Sequence, residues 1–387
     1  MGRMQRLHLV VSLLIGLAVA WGAPAWGQAI PTQPELGESI VLIKNNKLFA
    51  VALETTVFKP EGAGPFPVAV INHGKSAGDN HFQPRYRPLP AVRSFLQRGF
   101  AVVVPMRQGF SRSGGKVVGD GCNIGANGEA QAEDVRAVVS WLETQAWADT
   151  QNMVMMGQSH GGLTTLAYAQ APHAGFKLFV NFAGGLRVTS QCQWEKALAD
   201  AFGRYGAKTR VPSLWFYGEN DSYFPPAVIQ PAHRAYVDSG GAAELVAYGP
   251  FESDAHGMFG NTKGLPIWWK RVEEKLASAG FAMAASTAPA SASAISTSTS
   301  TSIATGGFAA LADVAAVPHL KDAGREGYRT FLKKDLPRGF ALAPNGAWGW
   351  ANGGNDPLQR AMDRCNRRGA GKCQPYAVDR DVVWKAK

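Results

Sequence analysis

The stretch from Met153 to Leu166 restricts the possible folds more than any other part of the chain. Its first four residues are apolar and end abruptly at Gly157, as in a buried parallel strand, and a helix-forming segment begins at Leu163. Between them, a G-x-S-x-G pattern puts Ser159 on a tight turn whose glycines avoid Cβ collisions with the strand and helix. The following helix N-terminus offers N–H groups to a developing oxyanion. The stretch predicts a nucleophilic serine; a glycine-rich turn without chemistry is the alternative.

Apolar runs and amphipathic segments alternate along the chain over about residues 40–279. Runs without in–out alternation, such as Phe100–Val104, predict strands that are covered on both faces. Segments with apolar residues at helical spacing, such as Glu129–Trp147, predict helices. Because strands separated by helices form parallel sheets, the predicted fold class is α/β, with a doubly wound, mostly parallel sheet. A hairpin with Asn45-Asn46 at its turn is expected to begin this domain.

The N-terminus has the pattern of a secretory signal peptide. Arg3 and Arg6 precede an apolar core from Leu7 to Ala20, and small residues follow as far as Ala29. We expect residues 1–29 to be a bacterial-type signal peptide and the mature chain to be periplasmic or secreted, with no transmembrane segment. An uncleaved anchor is the alternative, although the apolar core is short for a bilayer span.

A formal net charge of +10 raises the question of nucleic-acid binding. The lysines and arginines are dispersed, however, and no compact basic run with interleaved aromatic residues occurs in the sequence. No nucleic-acid partner is therefore expected, and the basic surface is interpreted as an aid to solubility near an anionic envelope.

The four cysteines, an even number in a chain expected to be exported, predict two disulfides. Three connectivities are open. The favoured one joins Cys365 to Cys373 in the tail and Cys122 to Cys192 in the main domain. No C-x-x-C spacing occurs and no histidine lies near the tail cysteines, so no metal site is predicted. No cofactor is expected either.

Composition divides the chain after the signal peptide into three parts. Residues 30–283 carry the α/β pattern, and residues 284–307 consist largely of alanine, serine, threonine and proline. Such a stretch has too little apolar surface to offset the entropy of ordering it, so it is interpreted as a low-complexity linker. Residues 308–387 predict a small α+β module with a hairpin around residues 344–346 and a helix over residues 357–368, held by the tail cysteine pair.

A serine hydroxyl needs a base to act as a nucleophile, and that base needs a carboxylate to orient it. In a doubly wound sheet both partners lie on loops at the carboxyl edge of the strands. Asp221 follows one predicted strand and His256 follows the next, which gives the chain order Ser, Asp, His. We expect Ser159, Asp221 and His256 to form a catalytic triad. Glu219 and Asp254 are the other candidates for the carboxylate.

The oxyanion that such a mechanism generates needs two N–H donors. The first is expected from the backbone of His160, directly after the nucleophile, and the second from that of Lys75, where Gly74 permits close approach. A simple glycine turn is the alternative at Gly74. Residues 107–111 lie at the same predicted edge and either shape the pocket or brace the loops; no catalytic role is assigned to them.

Five motifs follow one another along the main domain. They are His73-Gly74, Arg107 to Ser111, Gly157 to Gly162, Gly218 to Asp221, and Asp254 to Gly257. Together they resemble the α/β-hydrolase superfamily, most of all its dienelactone-hydrolase-like and prolyl-oligopeptidase-like branches. The resemblance spans about residues 40–279 and implies serine-dependent hydrolysis by Ser159, Asp221 and His256. Dienelactone hydrolases carry a cysteine where this chain has Ser159. The tail is similar to small cysteine-containing domains of exported bacterial proteins.

These observations lead to one main hypothesis and two alternatives. The main hypothesis is an exported serine hydrolase that cleaves carboxylic esters of a small-molecule or acylated substrate through an acyl-enzyme intermediate. A serine peptidase or amidase of the same fold is the first alternative. The second is a non-catalytic hydrolase-fold protein whose tryptophan-rich tail binds the cell envelope. The C-terminal domain is the candidate for envelope contact under each hypothesis.

Overall fold

The computed structural model of the chain describes residues 32–75, 80, 83–119, 121–188, 192–284, 309–334, 338–352, 357–369, 373–378 and 381–384. The expected signal peptide (residues 1–29) and residues 285–307 of the expected linker lie outside the described residues. The signal peptide, the linker and the domain bounds derived from them therefore stay predictions. Across the described residues, no helix is long and apolar enough to cross a membrane.

Eight strands of the described residues form one large sheet. They are β1 (Glu38–Lys44), β2 (Ala52–Phe58), β3 (Phe66–Asn72), β4 (Ala101–Pro105), β5 (Ala148–Gln158), β6 (Phe176–Phe182), β7 (Ser213–Tyr217) and β8 (Ala243–Ala247). Their order across the sheet is β1-β2-β4-β3-β5-β6-β7-β8. The strands from β3 to β8 are parallel, whereas β1 and β2 form the expected hairpin and β2 joins β4 in antiparallel register. The carboxyl ends of the parallel strands therefore share one edge.

Helices cover both faces of this sheet. They are α1 (Leu89–Leu96), α2 (Ile124–Leu142), α3 (His160–Tyr168), α4 (Trp194–Lys208), α5 (Pro226–Asp238) and α6 (Leu265–Ser278). Helices α2 to α5 pack on one face, and α1 and α6 pack on the other. Strand β5 is apolar without alternation because Met153 and Met155 face the first layer while Val154 and Met156 face the second. The predicted fold class, α/β with a doubly wound and mostly parallel sheet, is confirmed.

The boundaries of α2 and the start of β5 differ from the sequence expectation. The helix expected over residues 129–147 begins earlier, at Ile124, and the side chain of Asn123 caps it by accepting a hydrogen bond from the Ala126 N–H (3.1 Å). It also ends earlier, at Leu142, so that the chain turns and enters β5 at Ala148. Residues 149–152 of β5 are polar, and pairing with β3 extends the strand beyond its apolar run.

The disulfide of the large unit lies near the carboxyl edge of its sheet. Cys122 is bonded to Cys192. The first cysteine directly precedes the N-terminal turn of α2, and the second precedes that of α4. The bond therefore connects the starts of two helices that follow the parallel strands β4 and β6.

The C-terminal residues form a separate, antiparallel sheet with one helix on each face. Its elements are α7 (Asp322–Leu332), β9 (Arg338–Leu342), β10 (Trp348–Asn352), α8 (Pro357–Gly369), β11 (Gln374–Val378) and β12 (Asp381–Val382). The strand order is β10-β9-β11-β12. Tyr328, Phe331 and Phe340 lie in the core on the α7 side. Cys365 of α8 is bonded to Cys373, directly before β11, so both disulfides have the pairing that the sequence favours.

Candidate active site

The carboxyl edge of the large sheet carries the predicted nucleophile. Strand β5 ends at Gln158 and α3 begins at His160, so Ser159 alone makes the turn between them. Its backbone has φ +57° and ψ −123°, a conformation that costs a residue with a side chain about 1–3 kcal/mol. A strained serine between a strand and a helix is typical of a nucleophile whose hydroxyl must project from the sheet edge.

Close packing explains the glycines around this turn. A Cβ atom on Gly157 would lie 2.1 Å from the carbonyl oxygen of Gly161, and one on Gly161 would lie 2.1 Å from that of Asn72 in β3. A Cβ atom on Gly162 would lie 2.3 Å from Asn181 Oδ1 in β6. Because no side chain fits at such distances, glycine is required where the neighbouring strands approach the turn.

His256 and Asp221 reach the serine from the loops that follow β8 and β7. His256 lies in a short 3-10 turn, Ala255–Gly257, and its Nε2 is 3.0 Å from Ser159 Oγ. Its Nδ1 is 3.1 Å from each carboxylate oxygen of Asp221. The carboxylate is fully buried, whereas the imidazole remains 14% exposed. The structure thus brings the three predicted side chains into one hydrogen-bonded line, in the order that a nucleophile, a base and an orienting carboxylate require.

Backbone amides hold the carboxylate of Asp221 in place. The N–H groups of Tyr223 and Phe224 both donate to Asp221 Oδ1, at 2.9 Å each. These bonds, together with the one from His256, satisfy the buried carboxylate, which burial would otherwise destabilise. The loop that follows β7 is therefore folded around the carboxylate that faces the imidazole.

The two other carboxylate candidates occupy different positions. Asp254 accepts hydrogen bonds from Ser222 Oγ (2.6 Å) and from the backbone N–H of His256 (3.0 Å). Partial burial raises the pKa of Asp254, but these hydrogen bonds outweigh it and leave the pKa below its ordinary value. The side chain of Glu219 is exposed. Of the three candidates, Asp221 is therefore the one that contacts the imidazole ring, while Asp254 shapes the loop that carries it.

The loop after β3 passes directly beside the serine. A Cβ atom on Gly74 would lie 3.3 Å from Ser159 Cβ and 2.6 Å from Gln158 Oε1. On the other side, His160 is the first residue of α3, where backbone N–H groups have no acceptor within the helix. Both backbone segments expected to supply the oxyanion donors therefore adjoin the nucleophile. The oxyanion role of the His160 and Lys75 N–H groups itself stays a prediction.

A cluster of buried polar side chains lies beside this site. We refer to His73, Arg107, Asn127, Gln131 and His160 as the buried polar cluster. The backbone N–H of Arg107 donates to His73 Nε2 (3.1 Å), so His73 Nδ1 carries the proton and donates to the Gly74 carbonyl (2.7 Å). The Arg107 Nε donates to Gln131 Oε1. Gln131 Nε2 (2.9 Å) and His160 Nε2 (2.8 Å) both contact Asn127 Oδ1. These bonds favour the interpretation that Arg107 braces the loops.

Burial sets the protonation of this cluster. It lowers the pKa of His73 well below its usual value, and the nearby Arg107 charge lowers it further. Burial and the charges of Arg107 and Lys75 likewise lower the pKa of His160. Burial also lowers the pKa of Arg107 to about 9, against the opposing effect of Asp134. Both histidines are therefore neutral at physiological pH, and neutral, hydrogen-bonded imidazoles are suited to fixing loops.

Three residues at the site escaped the sequence reasoning. Gln158 Nε2 donates to the carbonyl oxygen of His256 (2.9 Å) and so ties the serine turn to the histidine loop. The rings of Tyr223 and Phe224 lie 4.5 and 5.6 Å from the imidazole, measured between ring centroids. Gln158 stands inside the G-x-S-x-G pattern and the two aromatic residues closely follow Asp221. These positions are the sequence signals that point to them.

The described part of the chain offers no residues to which a metal ion can be assigned. It contains no group of three or more His, Cys, Asp or Glu side chains placed to hold one. The four cysteines are joined in two disulfides, so they do not supply thiolate ligands.

Comparison with protein families gives a match over part of the chain. The profile of the X-Pro dipeptidyl-peptidase (S15 family) matches residues 50–229. This range contains Ser159 and Asp221 and ends before His256. The matched range includes strands β3 to β7 and the serine turn between β5 and α3. The profile match and the observed fold together indicate a serine hydrolase of the α/β-hydrolase superfamily. The match supports an α/β hydrolase of the serine esterase or peptidase type.

Solved structures similar to this α/β hydrolase include enzymes of both types. An esterase from Pyrococcus furiosus is 15% identical with a TM-score of 0.48, covering 65% of this chain and 94% of its own. A Klebsiella pneumoniae protein provisionally assigned as a dienelactone hydrolase is 18% identical with a TM-score of 0.44. The match covers 62% of this chain and 99% of the Klebsiella chain. An acylaminoacyl peptidase from Pyrococcus horikoshii is 16% identical with a TM-score of 0.45. The match covers 62% of this chain and 41% of the peptidase chain. No curated protein sequence matches the chain.

Proposed function

We propose that this α/β hydrolase is an exported serine hydrolase that cleaves carboxylic esters. The observation that carries the proposal is the hydrogen-bonded line from Ser159 Oγ through His256 to Asp221, with contacts of 3.0 and 3.1 Å. The strained serine turn and the partly exposed imidazole add support, because nucleophile and base must both reach a substrate. The two disulfides support export, since such bonds persist in oxidising compartments.

The proposed reaction proceeds through an acyl-enzyme. Ser159 Oγ attacks the ester carbonyl carbon while His256 Nε2 takes its proton, and the N–H groups of His160 and Lys75 bind the resulting oxyanion. Asp221 accepts from His256 Nδ1, which fixes the tautomer and stabilises the imidazolium. The departing alcohol receives the proton from His256. Water then loses a proton to the same nitrogen and attacks the acyl carbon. As the bond from the acyl carbon to Ser159 Oγ breaks and the acid is released, His256 returns that proton to Ser159 Oγ.

A fluorophosphonate probe that bonds covalently to activated serines tests this proposal. We expect the probe to label the wild-type chain and not the Ser159→Ala variant. Turnover of p-nitrophenyl acetate by that variant is expected to fall by at least about 10⁴-fold. A thermal unfolding curve close to that of the wild type serves as the folding control. Failure of the folded wild type to react with the probe would contradict catalysis and favour the non-catalytic binding role.

A peptide or amide is the second candidate substrate, and the family match is the observation that favours it. The matched profile is that of an X-Pro dipeptidyl-peptidase, and Ser159, His256 and Asp221 would serve amide cleavage by the same steps. The test compares kcat/KM for p-nitrophenyl esters of increasing acyl length with kcat/KM for Xaa-Pro p-nitroanilides. We expect the esters to be preferred. Efficient cleavage of the anilides with weak ester turnover would assign the peptidase function instead.

For the C-terminal domain we propose accessory binding to the cell envelope. A pocket of about 340 Å³ is lined by Trp348, Gly349, Trp350, Arg364 and Arg367. Half-buried tryptophan rings and exposed arginines suit stacking against an anionic or sugar ligand. Removal of residues 308–387 is expected to preserve ester turnover and to reduce retention on envelope material. If the shortened chain is retained on envelope material as well as the full chain is, the C-terminal domain does not have this binding role.

A further inference from the structure

The β1–β2 hairpin presents an unusual set of exposed apolar side chains. Leu48 and Phe49 lie in its turn with 92% and 86% of their surface exposed, and Leu42 on β1 is 67% exposed. Ile40 on the same face of β1 is also exposed. Single exposed apolar residues are ordinary on protein surfaces. A group confined to one hairpin indicates a contact surface.

The turn of this hairpin lies at the same sheet edge as the candidate nucleophile. Strand β2 runs antiparallel to β4, with Thr55 opposite Pro105, so its first residues lie at the carboxyl end of β4. The loop after β4 is seated against the hairpin, where the Gly114 N–H donates to the Ala52 carbonyl (2.9 Å). Three strand positions separate β2 from β5, which corresponds to about 15 Å at the usual spacing. The apolar turn and Ser159 therefore project from one edge.

Among the described residues, the charged side chains exposed around this turn are basic. Lys44 at the end of β1 and Arg112 and Lys116 in the loop after β4 are exposed. The acidic residues of the hairpin, Glu38 and Glu54, are buried. An apolar projection surrounded by cations is complementary to a surface of anionic lipid headgroups above acyl chains.

Lys47, in the turn itself, contributes less to this basic surface. Its Nζ contacts Asp134 Oδ1 (2.8 Å) and Gln108 Oε1 (3.1 Å), so much of its charge is neutralised by the protein. The same contacts attach the turn to α2 and to the loop after β4. They hold Leu48 and Phe49 in a projecting position, which lowers the entropy cost of inserting them into another phase.

We propose that the Leu48–Phe49 turn docks this protein on an anionic lipid surface. The turn is convex, and a bilayer accommodates a projecting pair of apolar side chains without a matching groove. A second copy of the chain would need a self-complementary groove to cover it. The docking does not depend on catalysis. One consequence rests on the proposed function: esters held in the lipid surface would be presented to the edge that carries Ser159.

Vesicle sedimentation with the full chain tests the docking. The probes are vesicles of phosphatidylglycerol and phosphatidylcholine in equal parts, and vesicles of phosphatidylcholine alone. We expect the wild type to sediment with the anionic vesicles, more weakly in high salt, and less with the neutral ones. The Leu48→Ser/Phe49→Ser double variant is expected to lower the partition coefficient by about tenfold or more. Because both side chains are exposed, the fold and the turnover of a soluble ester should be unchanged.

Matched variants test whether the hairpin turn itself is responsible for vesicle binding. Val237→Ser removes an apolar side chain that is 40% exposed on α5, and it should leave the partition coefficient unchanged. Ser159→Ala should bind vesicles like the wild type, so a failure of the hydrolase proposal would leave this result intact. The proposal would be overturned if the wild type sediments with neither kind of vesicle, or if the double variant binds anionic vesicles as well as the wild type does. A wild-type dimer lost in the double variant, without vesicle binding, would assign the turn to a second copy.

Discussion

Two groups of polar side chains meet at the carboxyl edge of the large sheet. Ser159 belongs to the first group, and the adjacent residue His160 belongs to the second. In the first group, hydrogen bonds run in a single line from Ser159 through a partly exposed imidazole to Asp221. In the buried polar cluster, the side chains are inaccessible and burial keeps His73 and His160 neutral. Residues of similar type thus differ in role according to solvent access: the accessible group is the candidate catalytic line, and the buried group braces the loops. Substitutions in the first group should change rate, and those in the second should change stability.

Among the substitutions that distinguish these two groups, Asp221→Asn should have the largest effect under the hydrolase proposal. An amide cannot stabilise the imidazolium of His256 or hold its tautomer as the carboxylate does, so kcat should fall by about 10⁴-fold. Steady-state turnover of a short p-nitrophenyl ester measures this loss. Asp254→Asn is the matched control, because Asp254 accepts from Ser222 and from the His256 backbone N–H but has no hydrogen bond to the imidazole ring, and its kcat should fall by less than about tenfold. Equal losses in the two variants would contradict the distinction drawn between these carboxylates.

In the buried polar cluster, Gln131→Ala should act on stability. The variant leaves Arg107 Nε without its acceptor and opens a small cavity, so the free energy of unfolding should fall by about 3 kcal/mol. Urea unfolding measures the change. Glu133→Ala on the same helix removes an exposed ion pair with Arg136 and should change the free energy of unfolding by less than about 0.5 kcal/mol. A Gln131→Ala variant as stable as this control would argue against a bracing role.

The two neutral histidines of the cluster predict a pH dependence of stability. Because the pKa values of His73 and His160 are lowered on folding, the unfolded chain binds more protons than the folded chain below about pH 6.5. Stability is therefore complete above this pH and is lost as the pH falls. The free energy of unfolding should decrease by about 2–3 kcal/mol between about pH 7.5 and about pH 5.5. Urea unfolding at both values measures it, and a His160→Gln variant should show a weaker dependence.

The smallest expected effect concerns the strained serine turn. Replacing Ser159 by glycine removes the side chain that makes φ +57° unfavourable, whereas replacing it by alanine retains the Cβ atom. Both variants should be inactive. We expect Ser159→Gly to be more stable than Ser159→Ala by about 1 kcal/mol, after the greater entropy of unfolded glycine is included. Thermal unfolding of the two variants provides the comparison, and a less stable glycine variant would argue against strain at this turn.

The sequence predicts most of the large sheet because its strands are covered on both faces. Runs such as Phe100–Val104 are apolar at every position, which leaves little ambiguity about their environment. The serine, the carboxylate and the histidine follow three different parallel strands, so topology alone brings their loops to one edge. Local signals and the global fold agree at these positions.

The features that sequence reasoning missed depend on contacts between distant segments. Helix α7 contains Gly324 and Gly327, which are poor helix formers, yet a Cβ atom on Gly327 would lie 2.3 Å from the Trp348 ring. Packing against β10 therefore overrides helix propensity there. Likewise, the bond from Gln158 to the His256 carbonyl joins residues of two separate loops. No local pattern identifies such a contact.

The crowded surroundings of Ser159 have a consequence for how substrate choice can change. Oxygen atoms of Gly161, Asn72 and Asn181 occupy the space that one added methyl group would need, so the backbone that carries the hydroxyl cannot be shifted by single replacements. Under the hydrolase proposal, changes in substrate choice are then expected from neighbouring loops such as residues 219–224 and 252–259, with Asp221 and His256 retained. Libraries intended to redirect selectivity belong in those two segments.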